Sequence, residues 1–263
     1  MGIKIKDVSI CNLCGNKDCS FKDSVVKTSF YGLRTEETIC PTAVITDGPV
    51  DVSKNNIIEN KHCIDCGLCA LNCHNNNLEC FDIDYSSTSF MSLSTQQTNA
   101  IACSYLNHIF TFATNTNRNK SLQFDGYIST NNGIEAFVQI DMLNDSLESV
   151  RRLIGDFLLY SPSDRRIKMG IVVLNELPRE GSRDIYNVLK KIREFPTTND
   201  YQFYFTTLNL LKYLAININN CNYNFEDIFF DLLQEDSINT CYKKFKELFP
   251  DDIKIIKQLI YNQ

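Results

Sequence analysis

The sequence predicts a two-part protein: a small cysteine-rich unit over residues 1–80, a linker over 81–93, and an α/β domain with a helical tail over 94–263. Nine of the twelve cysteines fall in the first 80 residues, among short segments punctuated by Gly and Pro with few long apolar runs. The stretch from Phe81 to Ser92 is Ser-rich, as linkers are. From Ser94 onward cysteine becomes sparse and apolar residues recur with helix and strand periods. A chain of 263 residues has room for one large domain or two small ones.

Composition narrows the class. Apolar residues make up 43% and charged residues 22%, ordinary globular usage that excludes global disorder. No run approaches the ~18 unbroken apolar residues of a membrane span. The first seven residues lack the apolar core of a signal peptide. The expectation is a soluble cytoplasmic protein with no membrane partner. A net charge of −6 and a pI near 5.2 argue against a nucleic-acid-coating protein but leave local basic patches open. Cytosolic thiols stay reduced, so clustered cysteines read as metal ligands before disulfides.

The first unit contains an imperfect repeat. Cys63-Ile64-Asp65-Cys66-Gly67-Leu68-Cys69-Ala70-Leu71-Asn72-Cys73 has the spacing C-x2-C-x2-C-x3-C. Upstream stand Cys11-x2-Cys14-x4-Cys19 and then Cys40-Pro41-Thr42-Ala43-Val44-Ile45. Two sets of three close cysteines, each followed by a fourth, resemble the two-cluster bacterial ferredoxins over about 70 residues. A tight C-x2-C-x2-C loop wraps three corners of a [4Fe–4S] cube, and the fourth thiolate must come from elsewhere.

The resemblance implies an α+β ferredoxin-type fold with two cross-tied [4Fe–4S] clusters. Cluster one would take Cys11, Cys14, Cys19 and Cys73; cluster two would take Cys63, Cys66, Cys69 and Cys40. The chain departs from the family in three places. Four residues instead of two separate Cys14 from Cys19, twenty residues lie between Cys19 and Cys40, and His74 stands where a proline usually follows the last cysteine. The alternatives are a single cluster or tetrahedral zinc, although zinc ribbons use paired CxxC units. His62 and His74 read as hydrogen-bonding surface residues, and Cys80, Cys103, Cys221 and Cys241 as ordinary small apolar side chains.

In the second unit, Ser94-Thr95-Gln96-Gln97 resembles a capping box, with Ile101, Tyr105, Ile109 and Phe112 following at helical spacing. Leu122–Ile128 and Gly133–Met142 read as strands around the turn signal Asn131-Asn132-Gly133. Asp145 and Glu148 start a helix carrying Leu147, Val150, Ile154, Phe157 and Leu158 on one side. A buried strand over Lys168–Leu174, a helix marked by Ile185, Val188, Leu189 and Ile192, and a strand over Tyr201–Phe205 follow. The tail, 225–261, reads as two or three short amphipathic helices.

Matching the faces of the hairpin sets Phe124 opposite Ile140 and Asp125 opposite Gln139, which needs an odd-numbered loop with a left-handed Gly133. Asp125, Glu135, Gln139 and Asp141 are then close together on one face. The order helix, hairpin, helix, strand resembles that of restriction-endonuclease-like PD-(D/E)xK nucleases. In the resemblance Asp125 stands for the metal-binding Asp and Phe137-Val138-Gln139-Ile140-Asp141 for the (D/E)-x-K strand, with Mg²⁺ or Mn²⁺ as the metal. Gln139 replaces the acid, Asp141 the Lys, and neither strand carries a Lys. Three readings stay open: an active site with shifted ligands, an inactive nuclease fold kept for binding, or an unrelated α/β domain.

The basic groups Arg151-Arg152, Arg165-Arg166-Ile167-Lys168, Lys190-Lys191-Ile192-Arg193 and Lys243-Lys244-Phe245-Lys246 could meet phosphate, or could be wet helix faces. No P-loop, GxGxxG, HExxH or GxSxG occurs, and His108 is the one His of the second unit. The expected function is therefore electron transfer or redox sensing with a redox partner or larger complex. The alternatives are a nucleic-acid-binding or nuclease protein with structural or sensing clusters, and a non-catalytic subunit.

Overall fold

The computed structural model describes residues 2–13, 57–58, 63–85, 90, 93–114, 123–130, 133–142, 146–160, 167–178, 183–217, 228–234 and 236–261. The chain is a mixed α/β structure. Its elements are β1 (Gly2–Ile5), α1 (Val8–Leu13), β2 (Ile57–Ile58), α2 (Leu68–Leu71), β3 (Leu78–Phe81), α3 (Thr95–Ile109), β4 (Phe112–Thr114), β5 (Gly126–Thr130) and β6 (Gly133–Asp141). They continue with α4 (Ser146–Leu159), β7 (Met169–Leu174), α5 (Arg183–Glu194), β8 (Gln202–Thr207), α6 (Leu208–Asn217), α7 (Ser237–Leu248) and α8 (Ile253–Tyr261). Among the described residues, no helix is long and apolar enough to cross a membrane. Cys14, Cys19, Cys40, Cys221, Arg165 and Arg166 lie outside the described residues.

The first sheet is antiparallel, in the order β2-β1-β3. Ile3 pairs with Cys80 and Ile5 with Leu78. Ile3, Ile5 and Leu78 form a small buried cluster against which Val8, Cys11, Cys69, Ala70, Cys73 and Cys80 pack. Alternation brings Ile3 and Ile5 to one face of a four-residue strand, enough to seat the cysteine loop.

The second sheet has the order β4-β5-β6-β7-β8. β4, β5 and β6 are antiparallel; β6, β7 and β8 are parallel. Parallel neighbours need crossovers, which α4 and α5 supply. Gly170 pairs with Phe137 and Phe203, and a Cβ there would lie 2.8 Å from Leu153 Cδ1 and 3.2 Å from Phe157 Cζ. The missing side chain thus lets α4 settle on the sheet, where Phe137 rings stack with Phe124 (4.1 Å) and Phe157 (5.8 Å). Ala136, Val138 and Ile140 are buried on the alternate face. Both faces are covered, as a parallel sheet requires.

The capping box of α3 forms as expected: Ser94 Oγ accepts from the Gln97 amide, and the Gln97 side chain accepts from the Ser94 amide. The helix ends at Ile109, and Phe112 belongs to β4, not to the helical stripe. On α4 the buried side is Ser146, Ser149, Val150, Leu153, Asp156 and Phe157, whereas Leu158, expected on the apolar side, is exposed. The tail forms α7 and α8 joined by a 3-10 turn over Pro250–Asp252.

The hairpin has the expected offset by a different device. Gly126 pairs with Val138, Tyr127 with Phe137 and Ile128 with Ala136. Ser129 then pairs with Ile134 and Thr130 with Gly133, so a register shift after Ile128 leaves Glu135 as the extra residue. Gly133 stands in the strand instead of supplying a left-handed loop residue. The first strand is also shorter than expected. The Gln123 amide donates to Asp156 Oδ1 (2.8 Å), and the Phe124 ring turns to Phe137 instead of lying on the Ile140 side. Side-chain bonding by Asp156 occupies backbone that would otherwise extend the ladder.

The segment expected to link the two units is held at several points. Phe90 is buried, the Tyr85 ring meets Tyr213 edge-on at 5.3 Å, and Asp84 O accepts from Lys212 Nζ.

Candidate metal centre

The run from Cys63 to Cys73 turns sharply because two of its residues adopt left-handed backbone: Asp65 (φ 53°) and Gly67 (φ 73°). Asp65 tolerates it with a local bond, its Oδ1 accepting from Cys63 Sγ (3.6 Å). Gly67 is required sterically as well, since a Cβ there would approach Ile216 Cδ1 at 2.8 Å and Cys80 Sγ at 3.2 Å. α2 follows as one short turn, with the Ala70 and Leu71 amides both donating to Gly67 O (3.0 Å). Cys66 is buried, and Cys63, Cys69 and Cys73 are half-buried.

Asn77 joins the two cysteine motifs. Its side-chain Nδ2 donates to Cys11 Sγ (2.9 Å) and to Asp7 O (2.7 Å). Its Oδ1 accepts from the Asp7 amide (2.9 Å), and its own amide donates to Cys73 Sγ (3.3 Å). The Lys6 amide donates to Asn77 O (2.9 Å). One buried amide therefore fixes α1 against the end of the second motif, with Cys11 and Cys73 at its two ends. Both sulfurs thus accept an N–H donor from the same residue.

The α/β unit reaches into the same loop. Tyr105 of α3, fully buried, donates its hydroxyl to Cys66 O (2.6 Å). Lys212 of α6 is also fully buried, and its ammonium lies 5.4 Å from the ring centres of both Tyr85 and Phe90. Burial pulls the ammonium down to about 8, against the opposing pull of Cys66, Asp65, Asp84 and Cys80. Burial raises the Asp65 carboxyl, with Lys212 and Cys63 pulling it back. Cys80, expected to be an ordinary apolar side chain, stands beside Gly67, and burial pushes its thiol up to about 12. Cys103 and Cys241 are simply buried, as expected.

Of the eight cysteines expected as ligands, five are described, and Asn77 brings together the pair Cys11 and Cys73 from opposite motifs. Cys63, Cys66 and Cys69 follow one another along a single loop. Among the described residues, no group of three or more His, Cys, Asp or Glu side chains is arranged to hold a metal ion. Cys14, Cys19 and Cys40, the residues expected to complete the two sets, lie outside the described residues. Lys212 and Tyr105 are functional candidates that the spacing of cysteines could not reveal. A lysine inside the apolar run Leu208–Ala215 was the available signal for Lys212.

The second expected site differs from expectation. Asp125 and Gln139 do meet, but both are buried, and Asp125 Oδ2 accepts from Gln139 Nε2 (2.9 Å) and from the Ile140 amide (2.7 Å). Asp141 Oδ2 accepts from Ser149 Oγ of α4 (2.8 Å). Glu135 is at the bulge, and its side chain lies outside the described residues. Asp125, Gln139 and Asp141 therefore do not make the open polar face expected from alternation, because α4 lies over Asp141 and the backbone of β6 takes up Asp125. Of the basic groups, Arg152 pairs with Glu148 (3.2 Å), Lys168 with Asp200, and Arg193 with Asp231 (2.7 Å). Comparison with known proteins finds no matching family model, no similar curated protein and no similar solved structure.

Proposed function

We propose that the chain binds two [4Fe–4S] clusters in a ferredoxin-type unit and serves electron transfer or redox sensing for the α/β unit packed on it. The observation that carries this reading is the meeting of Cys11 and Cys73 at Asn77. The ferredoxin resemblance implies this crossed pairing, in which the last cysteine of one motif serves the cluster of the other. The donor set is chemically consistent: every expected ligand is a thiol, sulfur-directed N–H donors are present, and a buried ammonium faces the loop. Cys11 and Cys73 would hold cluster one with Cys14 and Cys19; Cys63, Cys66 and Cys69 would hold cluster two with Cys40. When bound, each cluster takes up and returns one electron. The partner is a one-electron protein donor or acceptor, or a larger complex.

Iron and acid-labile sulfide analysis of anaerobically purified protein tests this reading. It expects about eight of each per chain and a paramagnetic signal after dithionite. Zinc in place of iron would overturn it, and about four irons would leave one cluster.

A second reading takes the α/β unit as a relative of restriction-endonuclease-like proteins that contacts nucleic acid with Mg²⁺ or Mn²⁺. The helix, hairpin, helix, strand order and the Asp125–Gln139 pairing favour it. The burial of both residues favours its inactive form. Cleavage of DNA or RNA with Mg²⁺ or Mn²⁺, lost in Asp125→Ala, would make the unit a working nuclease. Salt-sensitive binding without cleavage would fit the inactive form.

A further inference from the structure

Lys212 is fully buried in a chain whose other described lysines stand mainly at the surface. An ammonium moved out of water is strongly penalised unless an opposite charge or good acceptors compensate it. Here Asp84 O accepts from Nζ, and the rings of Tyr85 and Phe90 lie at 5.4 Å. These are neutral partners. The ionisable groups that act on it are Cys66, Asp65, Asp84 and Cys80, of which the Cys80 thiol, pushed up to about 12, is neutral.

Its position is set by more than charge. Lys212 and Ile216 are four residues apart on α6 and so share a helix face. The Ile216 side chain occupies the space a Cβ on Gly67 would take. The face of α6 that carries Lys212 is therefore applied to the centre of Cys63-x2-Cys66-x2-Cys69. Tyr105 holds the carbonyl of Cys66 from α3, and α3 packs on α6. The lysine stands on a rigid support next to a loop that becomes strongly anionic once its thiols ligate a cluster.

We propose that Lys212 is the positioning charge of cluster two: a fixed cation, supplied by the α/β unit, that stabilises the reduced cluster more than the oxidised one. This inference rests on the two-cluster reading above. A [4Fe–4S] cube with four thiolates carries a net charge of about −2 when oxidised and gains one more negative charge on reduction. A neighbouring positive charge in a low-dielectric surround favours the more negative state. The step is the uptake of one electron from a one-electron donor. No bond forms or breaks at Lys212, and its proton stays in place. Because the cation belongs to α6, the potential of cluster two depends on the α/β unit remaining seated.

The test is a mediated potentiometric titration of the full-length chain, purified anaerobically, with dithionite as reductant and paramagnetic resonance as readout. Iron and sulfide are measured on each sample. Wild type is compared with Lys212→Met, Lys212→Gln and Lys212→Arg. In the neutral variants one of the two one-electron waves shifts to lower potential, by about tenfold in the oxidised-to-reduced ratio or 59 mV. The other wave and the Lys212→Arg protein stay near wild type. Unmoved waves in a neutral variant that retains its full iron would overturn the inference while leaving the clusters intact. Loss of cluster two in both neutral variants with retention in Lys212→Arg would support a requirement for the charge. Loss in all three would mean the residue acts through packing alone and would overturn the inference. Absence of iron from the wild type would overturn the two-cluster reading itself, and this inference with it.

Discussion

The cysteine loop and the β5–β6 hairpin are both places where polar side chains crowd together, and they satisfy their polar groups in opposite ways. In the hairpin, Asp125 is bonded to the Ile140 amide and to Gln139, and Asp141 to Ser149. Each carboxylate shown is taken up by protein donors. Beside the loop, a buried ammonium has a carbonyl and two aromatic rings as its neutral partners among the described residues, and the thiols, Cys66 buried and the others half-buried, follow a turn shaped by Asp65 and Gly67. Polar groups that already complete one another have a structural role. A buried ammonium beside a row of thiols is the arrangement on which the cluster proposal rests.

The comparison can be broken most directly at Cys66. In the proposed two-cluster arrangement Cys66→Ser removes a central ligand of cluster two, and iron analysis is expected to fall by about half while cluster one stays loaded. Unchanged iron would remove the loop from the ligand set. Next in size is the hairpin's packing. Phe137→Ala empties a fully buried ring site between Phe124, Phe157 and Tyr160, and urea unfolding should show a loss of about 3–5 kcal/mol with cluster loading in surviving native protein unchanged.

Two smaller changes sharpen the distinction. Asp125→Ala strands the Ile140 amide and the Gln139 amide group, at a cost of about 1–3 kcal/mol, read as a lower urea midpoint. Asp125→Asn keeps an acceptor and should cost less. If Asp125→Ala proved as stable as wild type, the hairpin carboxylate would not be structural. Tyr105→Phe leaves the buried Cys66 carbonyl without its donor, also about 1–3 kcal/mol, but its distinctive effect should be faster cluster loss in air.

The smallest effect concerns Asp156, whose carboxyl burial raises above its ordinary value of 3.8 while the Gln123 and Phe124 amides pull it down. A raised folded-state value means that the native state favours the proton. The associated stability is present below 3.8 and is lost as pH rises through the higher folded value. Asp156→Asn removes that loss, so its unfolding midpoint should exceed wild type at neutral pH and converge with it as pH falls below 3.8. Wild type gaining stability from pH 4 to 7 relative to Asp156→Asn would reverse the sign and refute the argument.

Several features were legible because they depend on neighbours in the chain. The Ser94–Gln97 cap, the Ile185–Leu189–Ile192 stripe of α5 and the apolar strand Met169–Leu174 follow from local spacing. The offset of the hairpin was readable from its alternation, because a slip would have exchanged buried and polar faces. Its bulge was not, since an odd loop and a two-residue loop plus an extra strand residue produce the same offset. The turn of Phe124 toward Phe137 goes with the bond from the Gln123 amide to Asp156, 33 residues farther along.

By itself the amino-acid order determined where thiols are dense, how they are spaced, and which segments become helices and strands. These are properties of residues within a few positions of one another. Only the tertiary structure decided which polar groups complete one another and which are brought to the cysteine loop. It buried Asp125 with Gln139, set Cys11 and Cys73 on one asparagine, and placed Ile216, from the helix that carries the buried Lys212, against Gly67. Each of those outcomes joins residues from 14 to 149 positions apart. Burial and charge compensation are settled by what surrounds a group in space, and no local spacing carries that information.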